Sequence, residues 1–493
     1  MSAAQPQTAR PQLVVMKFGG TSVEDAAAIR RTTSIVRGRR EKGMEAVVVV
    51  SAMARVTDTL LAAAAAAGTG DKAGALALSA RLRSRHLETA GELVKPPQLN
   101  TLLNRIQHDF DSLDDLLRGI AAVGELTPRT TDNVVSYGER LSSQIVASAF
   151  EAAGLHGVHL DARHCIVTDD SYGKAIPNEA RIEDRLQKYA LPLIEQGLTP
   201  VMGGFIASNE QGITTTLGRG GSDFSAALVG GGLHAAAIEI WTDVNGIMTT
   251  DPRICPDALR VKTISFEEAA ELAYFGAKVL HPATILPAVQ QNIPVWVLNS
   301  RNAANEGTRI SAVAPPCRSP FKSIAVKKKL TIVDIVASRM LMTHGYLKAV
   351  FDVFDKHKVA IDMVSTSEVS ISVTVDTSDK LPLIAEDLSK IADVKYESNK
   401  ALICLVGEDI RGHAGIAGKV FTAVGHVNVR MISQGASEIN MSFMVEEEDA
   451  AEAIRSLHST FFADPDASIF DLDARANTTG APPVNTAAAV VVH

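Results

Sequence analysis

Cysteine, tryptophan and an excess of positive charge are what this sequence has little of. Only four cysteines occur in 493 residues, Cys165, Cys255, Cys317 and Cys404, far apart and without a CxxC pair. That spacing excludes a disulfide framework and a cysteine-based zinc site, and it reads as reduced thiols in a cytosolic protein. Acidic side chains number 56 against 48 basic ones, a net charge of −8, so no overall basic field exists to hold nucleic acid or an anionic membrane. The short cluster Lys327-Lys328-Lys329 reads as a solvated turn. No apolar run approaches the roughly 18 residues a membrane span needs, and the alanine run 62–67 is too short. A P-loop, a dinucleotide fingerprint and an HExxH motif are absent, which excludes those three site types. Residues 1–12 have no apolar segment and read as a loose tail rather than a signal peptide. Residues 473–493 read as a second disordered tail.

What is present is an ordinary globular composition, 46% hydrophobic and 21% charged. The length suggests about three folding units. From residue 13 to residue 312, short β-branched runs alternate with helical stretches. Leu13–Phe18 reads as a strand and Ala46–Val50 as a second, fully apolar one, the kind that marks a helix-covered parallel sheet. Val158–Leu160, Thr199–Met202, Ala236–Trp241 and Pro294–Leu298 are further strand candidates, and residues 75–120 predict an inserted helical pair. The expected fold class is therefore α/β. Pro315, Pro316 and Pro320 place a linker at residues 313–323. Beyond it lies an internal repeat: Gly345-Tyr-Leu-Lys-Ala-Val-Phe recurs as Gly415-Ile-Ala-Gly-Lys-Val-Phe, Ile361-Asp-Met-Val as Val429-Arg-Met-Ile, and Ser367-Glu-Val-Ser-Ile-Ser as Ser437-Glu-Ile-Asn-Met-Ser. Each copy reads strand, helix, strand, strand, helix, over residues 324–398 and 399–472.

Four segments carry chemistry. In Lys17-Phe-Gly-Gly-Thr-Ser, a strand ends and a helix begins; the glycines let backbone N–H groups approach an anion, although a tight βα turn gives the same pattern. In Gly218-Arg-Gly-Gly-Ser-Asp223, three glycines frame an arginine and an aspartate, a combination that a purely structural loop seldom needs. The run Trp241-Thr-Asp-Val-Asn-Gly-Ile-Met248-Thr-Thr-Asp-Pro-Arg253 fits a ligand loop or a hairpin equally well. In Phe275-Gly-Ala-Lys278-Val279-Leu-His281-Pro282, Lys278 suits a phosphate or is a surface lysine, and His281 reads as structural.

Taken in order, these segments resemble the aspartate kinases of the amino-acid kinase superfamily, over about residues 13–470. The repeats resemble two ferredoxin-like ACT domains, and Ser365-Thr-Ser-Glu-Val-Ser resembles the lysine-sensitive, monofunctional class. That class fits a chain that stops without a homoserine dehydrogenase domain. The resemblance implies ATP-dependent phosphorylation of the L-aspartate side chain to 4-phospho-L-aspartate, the first step towards lysine, threonine and methionine. It also implies feedback inhibition through the ACT pair, with lysine as the expected inhibitor. ATP is expected to arrive with Mg²⁺, with no metal held by the protein. Lys17 and Asp223 are implied as catalytic; Thr57, Glu139, Arg219, Gly220, Gly221 and Ser222 as aspartate contacts. Lys17, Gly19, Gly20, Thr21, Thr242, Asp243, Met248, Arg253, Lys278 and Val279 are implied as nucleotide contacts, with Met248 standing where the family often has tyrosine. Met340, Thr343, Gly345, Tyr346, Asp362, Thr366 and Ser367 match the lysine-site pattern. Arg430 replaces Asp362 in the second copy, so the two copies are not expected to bind the same ligand alike. A cytoplasmic homodimer or homotetramer joined through ACT domains is expected, with no nucleic-acid or membrane partner. A silent amino-acid sensor and another kinase of the superfamily are the alternatives; the set Lys17, Thr57, Glu139, Arg219 and Asp223 speaks against both.

Overall fold

The computed structural model describes residues 12–275, 282–336 and 344–472. Its contacts group the chain into two compact units. One comprises residues up to 247, 263–273 and 278–314; the other comprises 248–262, 274–277 and 315 onward.

In the first unit an eight-stranded sheet runs in the order 157–159, 199–203, 45–50, 13–18, 237–242, 295–299, 308–311, 263–265. All neighbours are parallel except the pair 295–299 and 308–311. The central strand Leu13–Phe18 is buried beyond its first residue, as is Glu45–Val50 beside it. This is why Leu13–Met16 and Ala46–Val50 read as apolar runs: helices cover both faces of a parallel sheet. All six strand expectations are met to within a residue at either end.

The helical pair expected over residues 75–120 is present as Lys72–Leu93 and Gln98–Val123, and a further helix flanks it on each side. Val56–Gly68, Lys72–Leu93, Gln98–Val123 and Pro128–Ala152 form a run of four helices packed on one core. Their boundaries follow local chemistry. Asp71 caps Lys72–Leu93 by accepting from the Gly74 N–H, Gly124 ends Gln98–Val123 at φ 71°, and Thr127 with Pro128 opens the next helix.

In the second unit a six-stranded sheet has the order 361–366, 370–376, 321–336, 393–407, 440–446, 431–434. Its backbone is the pair of long strands Phe321–Val336 and Asp393–Gly407, antiparallel from Phe321↔Gly407 to Val336↔Asp393. The two repeats meet here across a local pseudo-twofold. Lys329 and Asn399, about 70 positions apart like the rest of the repeat, both take left-handed φ of 60° where the ladder shifts register. Gly345 and Gly415, at φ 80° and 79°, open the matching helices Tyr346–Lys356 and Ile416–Ala423. The strand–helix–strand–strand–helix pattern expected for each copy is present in both.

Three expectations change. Lys327-Lys328-Lys329 is not a solvated turn but a bulge inside a strand, and Lys327 is turned into an ion pair. Residues 321–323 of the expected linker already belong to a strand and are buried, because that strand borders the second repeat before entering the first. Residues 248–262 group with the second unit: Ser323 Oγ donates to the Met248 carbonyl at 2.7 Å, and Arg260-Val261 pairs with Phe470-Asp471. Most of the two terminal tails lies outside the described residues.

His86, on Lys72–Leu93, is buried edge-on against Phe110, and its Nδ1 donates to the Leu82 carbonyl at 2.7 Å. Burial pushes its imidazole down from 6.5 to about 4. A base that resists protonation only when folded contributes stability that is fully present above pH 6.5 and is lost as pH falls towards 4. The stability of His86→Leu should therefore fall less between pH 7 and pH 5, by about 2 kcal/mol. Thermal unfolding at the two pH values checks this, and identical pH profiles would contradict it.

Candidate active site

A cleft of about 410 Å³ opens in the first unit where three chain breaks meet. The first is the end of Leu13–Phe18. Lys17 is the penultimate residue of this central strand, so its Cα is fixed by ladders on both sides, to Val49 and to Ile240. The strand stops at Gly19, whose N–H donates to the Trp241 carbonyl at 3.0 Å. Gly20 follows so closely on the next loop that a Cβ would lie 3.0 Å from the Ala52 carbonyl oxygen. A glycine is required there by close approach.

The second break is residues 51–57, between strand Glu45–Val50 and helix Val56–Gly68. Arg55 holds a left-handed φ of 66°, an uncommon state for a residue with a side chain. The third is Gly218-Arg219-Gly220, which leads into the helix Gly221–Gly232. Gly218 and Gly220 take φ of 76° and 72°, and a Cβ on Gly221 would meet the Phe205 ring at 2.7 Å. The helix N-terminus brings positive partial charge to the cleft. Asp223 sits in its first turn, and its carboxylate meets the Lys17 ammonium at 2.5 Å. Strand end and helix start are thereby tied across the cleft.

Glu139 reaches the same cleft from Pro128–Ala152. It is buried; Oε1 accepts from the Ala52 N–H at 3.1 Å, and Oε2 has no hydrogen-bond partner. Burial raises its carboxyl from 4.5 to about 8. A buried carboxyl oxygen left without a partner costs free energy unless a ligand satisfies it. Further back, both oxygens of buried Asp132 hold the loop that precedes the third break, accepting from the Gly173 and Thr216 N–H groups and from the Thr216 hydroxyl.

Of the residues implied by sequence, the cleft brings together Lys17, Gly20, Thr57, Glu139, Gly220, Gly221, Ser222 and Asp223. Arg219 is exposed and does not line it. Gly19 and Thr21 flank it, while Thr242 and Asp243 lie at the end of the neighbouring strand, the Thr242 hydroxyl donating to Asp243 at 3.2 Å. Met248 and Arg253 group with the second unit, and exposed Arg253 is paired with Asp251 at 2.7 Å. Lys278, Val279 and His281 lie outside the described residues, as do Met340 and Thr343. Asp58 also lines the cleft and was not foreseen; its place inside the same loop-to-helix run as Thr57 was the available signal.

Of the residues in the lysine-site pattern, Gly345, Tyr346, Asp362, Thr366 and Ser367 are described. Asp362 is not open: Lys327 Nζ contacts both its oxygens at 2.8 Å, and the Tyr274 hydroxyl donates to it at 3.3 Å. Burial nonetheless raises the Asp362 carboxyl, against the lowering effect of Lys327. The Ser367 hydroxyl is engaged with Ser370 in a turn, Thr366 is exposed, and the buried phenol oxygen of Tyr346 has no partner. Lys327 was the residue missed here.

Comparison with known proteins follows the same division. The profile of the amino acid kinase family matches residues 12–299, and that of the ACT domain matches residues 333–381 and 403–461. The lysine-sensitive aspartokinase 3 of Escherichia coli is 36% identical over 461 residues, covering 92% of this chain and 99% of that protein. The chain belongs to the aspartokinase family. Among solved structures of the family, E. coli aspartokinase III in complex with aspartate and ADP, in the R-state, superimposes with a TM-score of 0.79 at 36% identity. That match covers 92% of this chain and 100% of the other. The same enzyme in complex with lysine and aspartate, in the T-state, gives 0.78 at 36% identity, covering 91% of this chain and 99% of the other. The α/β fold class with two appended ACT repeats is thus that of the family.

The Glu139 environment generates a test. A carboxyl held neutral by burial adds stability below its ordinary value of 4.5 and loses it as pH rises towards 8. Glu139→Gln should therefore be more stable than the parent at pH 8, on the order of 3 kcal/mol, with the gain vanishing near pH 4. Chemical denaturation at both pH values checks this; a gain independent of pH would contradict it.

Proposed function

We propose that the chain is an ATP-dependent aspartate kinase, transferring the γ-phosphoryl group of ATP to the side-chain carboxylate of L-aspartate. The observation that carries this reading is the Lys17–Asp223 ion pair at 2.5 Å, at a helix N-terminus, in one cleft with buried Glu139. The acceptor is a carboxylate, ionised at neutral pH, so no general base is needed. The attacking carboxylate oxygen forms a bond to the γ-phosphorus while the bond to the bridging oxygen breaks, and ADP leaves with its charge. The work left to the protein is to hold two anions together and offset charge on the transferring group.

Lys17 supplies the positive charge, and Asp223 positions its ammonium. The positive end of the helix Gly221–Gly232 and the backbone at Gly20 face the phosphates, with Gly19 beside them. Glu139 takes the aspartate ammonium, which satisfies its unpartnered oxygen, and Thr57 and Ser222 line the substrate side. Arg219 takes a substrate carboxylate by turning inward from its exposed position. Thr21, Thr242, Asp243, Met248, Arg253, Lys278 and Val279 form the nucleotide side. Mg²⁺ supplies charge screening on the ATP phosphates; among the described residues no three His, Cys, Asp or Glu side chains converge to hold a metal themselves.

The layout we assign is a catalytic domain at 13–312, a linker at 313–323 and ACT domains at 324–398 and 399–472. Lysine is the feedback inhibitor, bound through the first repeat, and the chain works as a cytoplasmic dimer or tetramer joined through these repeats. In support, the related E. coli enzyme was crystallised with lysine, and no helix among the described residues is long and apolar enough to cross a membrane.

A hydroxamate assay tests the activity. With ATP and Mg²⁺, L-aspartate should give product and L-glutamate about 10²-fold less, because the extra methylene misplaces the attacking carboxylate. L-lysine should inhibit and L-threonine alone should not. Equal turnover of glutamate, or none of aspartate, would overturn the assignment.

A further inference from the structure

The ion pair that closes Asp362 recurs in the second repeat with its signs exchanged. Lys327 and Asp362 in the first repeat correspond to Glu397 and Arg430 in the second, and that pair also stands at 2.8 Å. The acidic neighbour recurs too: Asp376 lies 3.1 Å from Lys327, and Glu446 lies 3.6 Å from Arg430. An ion pair thus stands at this place in both copies, but only the first copy puts a buried anion there: Arg430 is exposed, and the buried cation of the second copy is Lys400, 3.1 Å from Glu397 and 2.8 Å from Glu446.

The three partners in the first repeat differ sharply in exposure. The Asp362 side chain is 5% exposed, Lys327 is 22% exposed and Asp376 is 70% exposed. Lys327 Nζ therefore sits between a buried carboxylate and a solvated one, within hydrogen-bond reach of both, and 6.0 Å from the centre of the Tyr274 ring. Its four-carbon stem is flexible and its ammonium has three donors. A small movement transfers it wholly to Asp376. In the second repeat the position of Asp362 holds the cationic, exposed Arg430, so no anion stands there to take an effector's ammonium.

We propose that Lys327 is a resident counter-ion of the effector site, which the ammonium group of an incoming basic amino acid displaces from Asp362 onto Asp376. This rests on the reading of Asp362 as the effector's ammonium partner. In the free protein Lys327 offsets part of the cost of burying the Asp362 carboxylate. On binding, the effector replaces one ammonium with another, and Asp376 prevents two like charges from meeting unscreened. Lys327 then sets how much effector is needed for inhibition, while the catalytic cleft is untouched.

Steady-state inhibition by L-lysine of the full chain and three variants tests this. Lys327→Met removes the competitor, and half-inhibition should shift to an L-lysine concentration about tenfold lower, with uninhibited kcat and KM unchanged. Asp376→Asn, at an exposed position that folding tolerates, removes the alternative partner and should raise that concentration by about threefold. Asp362→Asn serves as the control for the site itself. If Asp362→Asn keeps the parental response, the effector reading falls and this inference with it. If Asp362→Asn loses inhibition while Lys327→Met leaves half-inhibition unchanged or higher, Lys327 holds the site together rather than competing for it, and the inference alone is overturned. Should Lys327→Met fail to fold, an unchanged or lowered value in Asp376→Asn overturns it.

Discussion

A single ion pair, Lys17 with Asp223, ties together two elements separated by some two hundred residues of chain, and the catalytic unit is organised around it. Lys17 comes from the central strand of the sheet, where parallel ladders on both sides leave its backbone no freedom. Asp223 comes from the first turn of a helix whose start is fixed by glycines with left-handed φ. Both side chains are largely buried, at 11% and 15% exposure, so the pair is screened less than a surface bridge would be. Burying two charges is worthwhile only with good geometry and further partners, and here the cleft side is left for an anionic ligand. The glycine pattern follows from the same constraint. A Cβ at Gly20 would press on the Ala52 carbonyl, and one at Gly221 on the Phe205 ring.

The second unit solves a different problem with a related device. Two copies of one small module share a pair of long antiparallel strands, and the left-handed bulges at Lys329 and Asn399 let each strand leave one module and enter the other. Divergence between the copies is concentrated in charge rather than shape. The exchange of Lys327–Asp362 for Glu397–Arg430 keeps an ion pair in both copies with the charges reversed.

Much of this was legible in the sequence, for identifiable reasons. Leu13–Phe18 and Ala46–Val50 stand out because strands buried on both faces are built almost wholly of apolar residues. Gly-Arg-Gly-Gly-Ser-Asp stands out because left-handed backbone conformations and a close approach demand glycine at fixed offsets. The repeat stands out because both modules fold by the same contacts. What was not legible depends on long-range approach. The neutralising burial of Glu139 requires the 51–57 loop to cover it, and nothing near residue 139 encodes that. The outward direction of Arg219 is a matter of rotamer, not of sequence. The three lysines at 327–329 look like a turn because local charge suggests solvent, whereas Asp362, far along the chain, draws the first of them inward. An opposite-charge match between the repeats, Lys327 against Glu397 and Asp362 against Arg430, was the signal that could have found that pair.

The central claim is that Lys17 and Asp223 act as one unit at the reacting group. A double-mutant cycle on kcat tests it most directly, with Lys17→Met, Asp223→Asn and the double variant assayed at saturating ATP and L-aspartate and with folding checked by thermal unfolding. If the pair is one device, each single variant should lose about 10³-fold or more, and the double variant should be scarcely slower than either. Losses that multiply in the double variant, or a single variant with near-parental kcat, would contradict the account.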